Sequence, residues 1–172
     1  MEKQVWTIGH STRSIEDFLA LLQSFQIQMV VDVRHYPGSK RYPHFNKEDL
    51  ERELVKNQIG YLHLVDLGGR RSPLPDSINT AWRHKAFRGY ADYMQTGAFK
   101  LALAQLEDVA NRQPTAYMCS EAVWWSCHRS LISDVLKANG WKVMHIMSMD
   151  KATEHPYTKP AKVVNGEVVY RD

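Results

Sequence analysis

The chain has 172 residues, 44% of them hydrophobic and 24% charged, with a net charge of +3. That length and composition suit a folded domain over residues 1–172 with a core of its own, and exclude a largely disordered chain. No apolar run approaches the roughly 18 residues of a membrane helix, Met1-Glu2-Lys3-Gln4 leads toward apparent structure without a signal pattern, and two cysteines cannot build a disulfide scaffold, so a reducing, cytoplasmic setting is expected.

Val5-Trp6-Thr7-Ile8 is a short apolar run that stops at Gly9, as a buried strand does. Ser14 is placed to cap a helix whose Ile15, Phe18, Leu19, Leu22 and Phe25 recur at helical spacing. Met29 to Val33 is a β-branched run of near-continuous apolarity, the mark of a strand covered on both faces. Pro37, Gly38 and Pro43 make the next stretch a loop. Asn46 then caps a helix carrying Leu50, Leu54 and Val55, which Gly60 is expected to end. A third strand is expected over Tyr61 to Val65, broken by Gly68-Gly69, with a proline-punctuated irregular stretch from Arg70 to Asp76. A helical pattern runs from about Tyr90 to Asn111 with a break at Gly97, and Pro114 precedes a fourth strand from Thr115 to Cys119. Ser126 or Cys127 opens another helix through Leu136, closed by Asn139-Gly140. Lys142 to Ile146 is a fifth strand, and Lys162 to Tyr170 reads as a hairpin around Asn165-Gly166. The alternation predicts a three-layer α/β fold, Rossmann-like or flavodoxin-like: a mostly parallel sheet, helices on both faces and a C-terminal hairpin.

Charge is unevenly spread. Val33 to Lys47 carries Arg34, Lys40, Arg41 and Lys47 with no acid, and Arg70 to Ala91 holds five basic residues against Asp76 alone. Tyr36, Tyr42 and Phe45 are interleaved in the first stretch, and Trp82, Phe87 and Tyr90 in the second. Positive charge beside flat rings suits phosphates and bases, although two solvated loops would look the same.

Ligands of open parallel sheets bind beyond the carboxyl ends of the strands. There this sequence gathers His10 and Ser11, Asp32 and Arg34, Gly68, Gly69 and Arg70, Cys119 and Glu121, and then Cys127, His128 and Arg129. A helix N-terminus at Cys127 favours anions and lowers the pKa of a nearby thiol. His10, Glu121, Cys127 and Cys119 are therefore the candidates for proton transfer or nucleophilic attack. Ser11, Arg34, Gly68, Gly69, Arg70, His128 and Arg129 are the candidates for holding an anion, with Glu121 or Asp32 as alternative partners for Arg129. Cys119 at the end of a buried strand also fits a structural thiol, and Asp32 with Arg34 fits a structural pair. Trp124-Trp125 suits a lid, a stacking platform or core cover. Neither a Gly-x-Gly-x-x-Gly nor a Walker-type loop occurs, so no nucleotide cofactor is expected. Seven residues separate the cysteines, which matches no familiar zinc spacing, so no metal is expected either, even with His10 and His63 as further ligand types.

Thr7-Ile8-Gly9-His10-Ser11, Asp32-Val33-Arg34, Leu67-Gly68-Gly69, Phe87-Arg88-Gly89-Tyr90, Cys119-x-Glu121, Cys127-His128-Arg129 and His145-Ile146 form an ordered set. Together they resemble the domain-of-unknown-function family 488, a resemblance that runs from Thr7 to about Thr158. It implies an α/β protein and brings no reaction with it. A looser likeness to rhodanese and cysteine-phosphatase domains rests on the Asp-Val-Arg strand and a later strand-end cysteine. Those enzymes need Cys-x5-Arg, and Trp125 stands six residues after Cys119.

The leading expectation is an enzyme-like pocket for a phosphate-bearing substrate, a nucleotide or nucleic acid among them. The alternatives are a non-catalytic nucleic-acid-binding module, and thiol or sulfur chemistry at Cys119 or Cys127. No membrane partner is expected.

Overall fold

The computed structural model describes residues 3–172; Met1 and Glu2, with which the N-terminal expectation begins, lie outside the described residues. Five helices and eight strands follow in the order β1 (Gln4–Gly9), α1 (Ile15–Ser24), β2 (Met29–Asp32), α2 (Lys47–Lys56), β3 (Gly60–His63), α3 (Lys85–Tyr93), α4 (Gly97–Arg112), β4 (Thr115–Cys119), α5 (Arg129–Ala138), β5 (Lys142–Ser148), β6 (Lys151–Glu154), β7 (Lys162–Val164) and β8 (Glu167–Val169). Six strands form one sheet in the order β3-β2-β4-β1-β5-β6, parallel except for the β5–β6 pair, and β7 and β8 form the expected hairpin. Among the described residues no helix is long and apolar enough to cross a membrane.

Period-two alternation in the strands feeds two cores. Val30, Ala116, Met118 and Ile8 pack with Phe18, Leu22, Leu50 and Leu54 of α1 and α2. Val31, Tyr117 and Cys119 pack on the other face with Tyr90, Phe99, Leu103 and Leu131 of α3, α4 and α5. Ser14 caps α1 by accepting from the Asp17 N–H at 3.1 Å. Asn165 and Gly166 both take positive φ, 53° and 80°, as the two-residue turn of a hairpin requires.

Several boundaries differ from the sequence reading. Gly60 does not end α2; Asn57 caps it and Gln58 takes the left-handed turn at φ 58°, while Gly60 opens β3. The helix expected from Tyr90 starts at Lys85, because the His84 ring accepts from the Ala86 N–H in place of a hydroxyl cap. It breaks at Thr96, whose hydroxyl caps α4 through the Phe99 N–H. The last long helix starts at Arg129, behind a short 3-10 turn over Trp124–Ser126. Strand β6 was not expected, since Lys151-Ala152-Thr153-Glu154 has no apolar alternation.

Connectivity places the crevice. From β1 the chain passes through α1 and skips over β4 to reach β2, while from β4 it passes through α5 and skips over β1 to reach β5. The two crossovers leave adjacent strands in opposite directions and on opposite faces, so a gap opens at the carboxyl ends of β1 and β4.

Candidate active site

The gap is a cleft of about 910 Å³, in the range of small-molecule sites. Nine of the residues singled out from sequence line it: His10, Ser11, Arg34, Gly69, Arg70, Cys119, Glu121, Cys127 and His128. The floor comes from the β1 and β4 ends, which stay paired beyond the sheet through His10 N–H to Cys119 O (2.9 Å) and Ser11 N–H to Ser120 O (3.0 Å). The mouth carries Tyr36, Arg41, Tyr42 and Arg70. Tyr36 is 64% exposed, with the Arg70 guanidinium 5.3 Å from its ring centre. Arg41 lies 5.8 Å from the ring centre of Tyr42.

Two cysteines and a histidine meet at the floor. Cys127 is 5% and Cys119 2% exposed. The Cys119 thiol donates to the Glu121 carbonyl at 3.8 Å, beside the Cys127 sulfur, which accepts from the Arg129 main-chain N–H at 3.4 Å. Burial alone pushes the Cys127 thiol up. The neighbouring Cys119 thiol, the Arg129 charge and the Arg129 N–H outweigh it and leave Cys127 below the ordinary thiol value. Burial and the neighbouring Cys127 push Cys119 well up, so it is the proton-bearing member of the pair.

His128 completes this group. Its Nε2–H donates to the Val33 carbonyl at 2.7 Å, and a carbonyl can only accept. Nδ1 is therefore the unprotonated nitrogen, and it lies 3.4 Å from the Cys127 sulfur. Burial lowers the His128 pKa. A thiol, a ring nitrogen within reach of it and a main-chain oxygen that fixes the ring tautomer are the parts from which a nucleophile–base–orienter set can be built.

Arg129 does not line the cleft. It is 1% exposed, donating from Nη1 to the Thr7 hydroxyl at 3.1 Å and from Nη2 to the Glu121 carbonyl at 2.9 Å. Neither Glu121 nor Asp32 pairs with it through a carboxylate. Its Nε–H has no hydrogen-bond partner among the described residues, and the guanidinium charge lies close enough to the Cys127 sulfur to lower its pKa. The Glu121 side chain is exposed; its main-chain oxygen makes the contact that shapes the floor.

The other basic candidate inside the fold is also occupied. Arg34 grips Asp32 through Nε (2.9 Å) and Nη2 (2.7 Å), and Asp32 accepts further from Tyr61 Oη at 2.6 Å. His10 stacks on Phe45 at 4.3 Å. It donates from Nδ1 to Ser11 O at 2.9 Å, and its Nε2 faces Arg34 Nη1 at 3.4 Å. Burial first, and then the Arg34 charge, hold His10 down to about 4, so it is neutral near pH 7. Gly68 and Gly69 make room for protein: a Cβ would lie 2.7 Å from His35 Cα at Gly68 and 3.2 Å from the His128 ring at Gly69. His63 donates to the Arg34 carbonyl at 2.8 Å. Trp124 stacks on His145 at 4.6 Å and 5°, while Trp125 is 55% exposed. No group of three or more potential metal-binding side chains occurs among the described residues.

The sequence profile of a family described as Domain of unknown function DUF488 matches residues 14–136. The chain belongs to the DUF488 family. No curated protein and no solved structure matches it. The DUF488 match spans Cys119, Cys127, His128 and Arg129. It leaves out Thr7 and the histidines at 145 and 155, which lie behind Arg129.

Proposed function

We propose that this DUF488 protein is a thiol-dependent enzyme that acts on an anionic, nucleotide-sized substrate, with Cys127 as nucleophile. The observation that carries this reading is the Cys127–His128 contact at the cleft floor, 3.4 Å long, with the ring held by Val33. His128 Nδ1 takes the thiol proton, and Cys119 and Arg129 stabilise the thiolate. The sulfur attacks an electrophilic carbon or phosphorus of the substrate. A bond from sulfur forms, the bond to the leaving group breaks, and the leaving group takes the proton back from His128. Water then releases the covalent intermediate.

Arg34 and Arg129 are held inside the fold, so the substrate's charge falls to Arg41 and Arg70 at the mouth. Their placement against Tyr42 and Tyr36 suits a flat ring carrying phosphate. A purely nucleic-acid-binding module would use the same mouth but would have no need of a thiolate beneath it.

Alkylation by iodoacetamide across pH tests the reading. Cys127 reacts below the pH at which an ordinary thiol, with a pKa of about 8.5, becomes reactive; Cys127→Ser abolishes that reaction, and AMP or pyrophosphate slows it. Arg70→Glu removes the protection. Reaction at the ordinary thiol pH, or an equal rate in Cys127→Ser, overturns the proposal.

A further inference from the structure

Behind Arg129 runs a line of buried polar side chains that the proposed chemistry does not itself use. Thr7, His145, His155 and Asp134 are each 1% exposed or less. The Thr7 hydroxyl lies 2.6 Å from His145 Nδ1, His145 Nε2 lies 2.8 Å from His155 Nδ1, and His155 Nε2 lies 2.8 Å from Asp134 Oδ1. These groups come from β1, β5, the segment after β6, and α5.

The donors can be ordered from one end to the other. Arg129 Nη1 donates to Thr7, so that hydroxyl already accepts. Its own proton has no acceptor among the described residues other than His145 Nδ1. His145 therefore carries its proton on Nε2 and donates to His155 Nδ1. His155 in turn carries its proton on Nε2 and donates to Asp134. The order ends correctly, because a carboxylate accepts and a guanidinium only donates. Asp134 also accepts from the Thr158 N–H (3.0 Å), the Thr158 hydroxyl (2.6 Å) and Tyr170 (2.8 Å). Trp124 stacks over the His145 ring and holds it in plane.

We propose that Thr7, His145, His155 and Asp134 are positioning residues, a one-directional hydrogen-bond chain that holds the Arg129 guanidinium against the Cys127 sulfur. The inference rests on the thiol-dependent reading and explains a feature of it. A carboxylate in direct contact with Arg129 would fix the side chain but cancel its field at the sulfur. Two uncharged rings pass the orientation along while keeping the negative charge at the far end of the line. The guanidinium stays fixed and locally uncompensated except by the thiolate. Burial, with the Arg129 charge beside it, pushes the His145 pKa far down, in keeping with an uncharged ring.

Two measurements test the chain on the full protein. Long-range proton–nitrogen NMR of the wild type at pH 8 should show both His145 and His155 as Nε2–H tautomers. Alkylation of Cys127 should move up by about one pH unit in Thr7→Val and return in Thr7→Ser. Cys127 is faced by Cys119 and Tyr117 of β4, Tyr90 of α3, His128 just before α5, and Arg129 of α5. All five remain in both variants, so the shift reports Arg129. An Nδ1–H tautomer on either ring, or a Thr7→Val protein whose thiol titrates as the wild type does, overturns the proposal. If Thr7→Val does not fold, the tautomers of the wild type decide alone. A wild-type thiol that titrates normally would instead sink the enzymatic reading, with the tautomers untouched.

Discussion

At Gly9 the absence of one carbon shapes the floor of the cleft. A Cβ there would lie 1.6 Å from the Glu121 carbonyl oxygen and 3.1 Å from Arg129 Nη2. Glycine lets the chain after β4 cross over the end of β1, which presents that oxygen to Arg129. Gly9→Ala should cost about 3 kcal/mol of stability, since the neighbour is main chain and cannot swing away; urea unfolding measures it. The residue scale also shows where sequence reasoning stopped. Cys127, His128 and Arg129 stood out because reactive and charged types cluster before an apolar helical pattern. The inward position of Arg129 did not. Arg129 looked like an anion holder on the assumption that the helix began at Ser126 or Cys127. The short 3-10 turn over Trp124–Ser126 delays the helix, and Arg129 enters it pointing inward. No local pattern reveals that Thr7, 122 positions away, receives its Nη1.

Among the elements, strands β1, β2, β4 and β5 were legible because apolar runs announce buried strands, and the half-buried edge strand β3 because Gly60 and Gly68-Gly69 bracket its short run. Strand β6 was not, because its residues are exposed or half-buried and lie antiparallel at an edge, where pairing to β5 rather than burial defines the strand. The stretch from Arg70 to Asp76 reads as irregular, yet it and the residues up to Asn79 are pinned by Asp92 of α3, which accepts from Leu74 N–H, Ser77 Oγ and Asn79 Nδ2. The end of β2 is held in the same manner. Asp32 fixes Arg34 and Tyr61 of the neighbouring strand with no exposure of its own. Asp32→Asn leaves a buried guanidinium without its countercharge, so stability should fall by about 3 to 5 kcal/mol, read as a lower denaturant midpoint. The Arg34 wall of the cleft should loosen with it.

Across the whole molecule, buried neutral histidines set an acid limit. His10 is held down to about 4 and His145 to about 2, both below the ordinary histidine value of 6.5. Near pH 5 the unfolded chain has taken up both protons and the folded chain neither, so stability is complete above pH 6.5 and falls as the solution is acidified. Each ring should remove about 2 kcal/mol between pH 7 and pH 5, a figure set by the unfolded value once the folded one lies lower. Unfolding curves at the two pH values check this. A loss of only about 2 kcal/mol would mean that one of the rings is charged in the fold, and a flat profile that both are.

The strand order has its own consequence for how this chain comes into being. Strand β1 is made first, yet its partners are β4 and β5, more than a hundred residues downstream. A ribosome therefore holds Val5 to Ile8 as an apolar segment with nothing to pair with until most of the polypeptide has emerged. Such long-range closure slows folding and leaves the nascent chain open to aggregation. Thr7 sits in that waiting strand, so under the proposed function the surroundings of Cys127 are completed only once β4 and β5 have been made, and a product truncated before β5 would carry Cys119 and Cys127 as ordinary thiols.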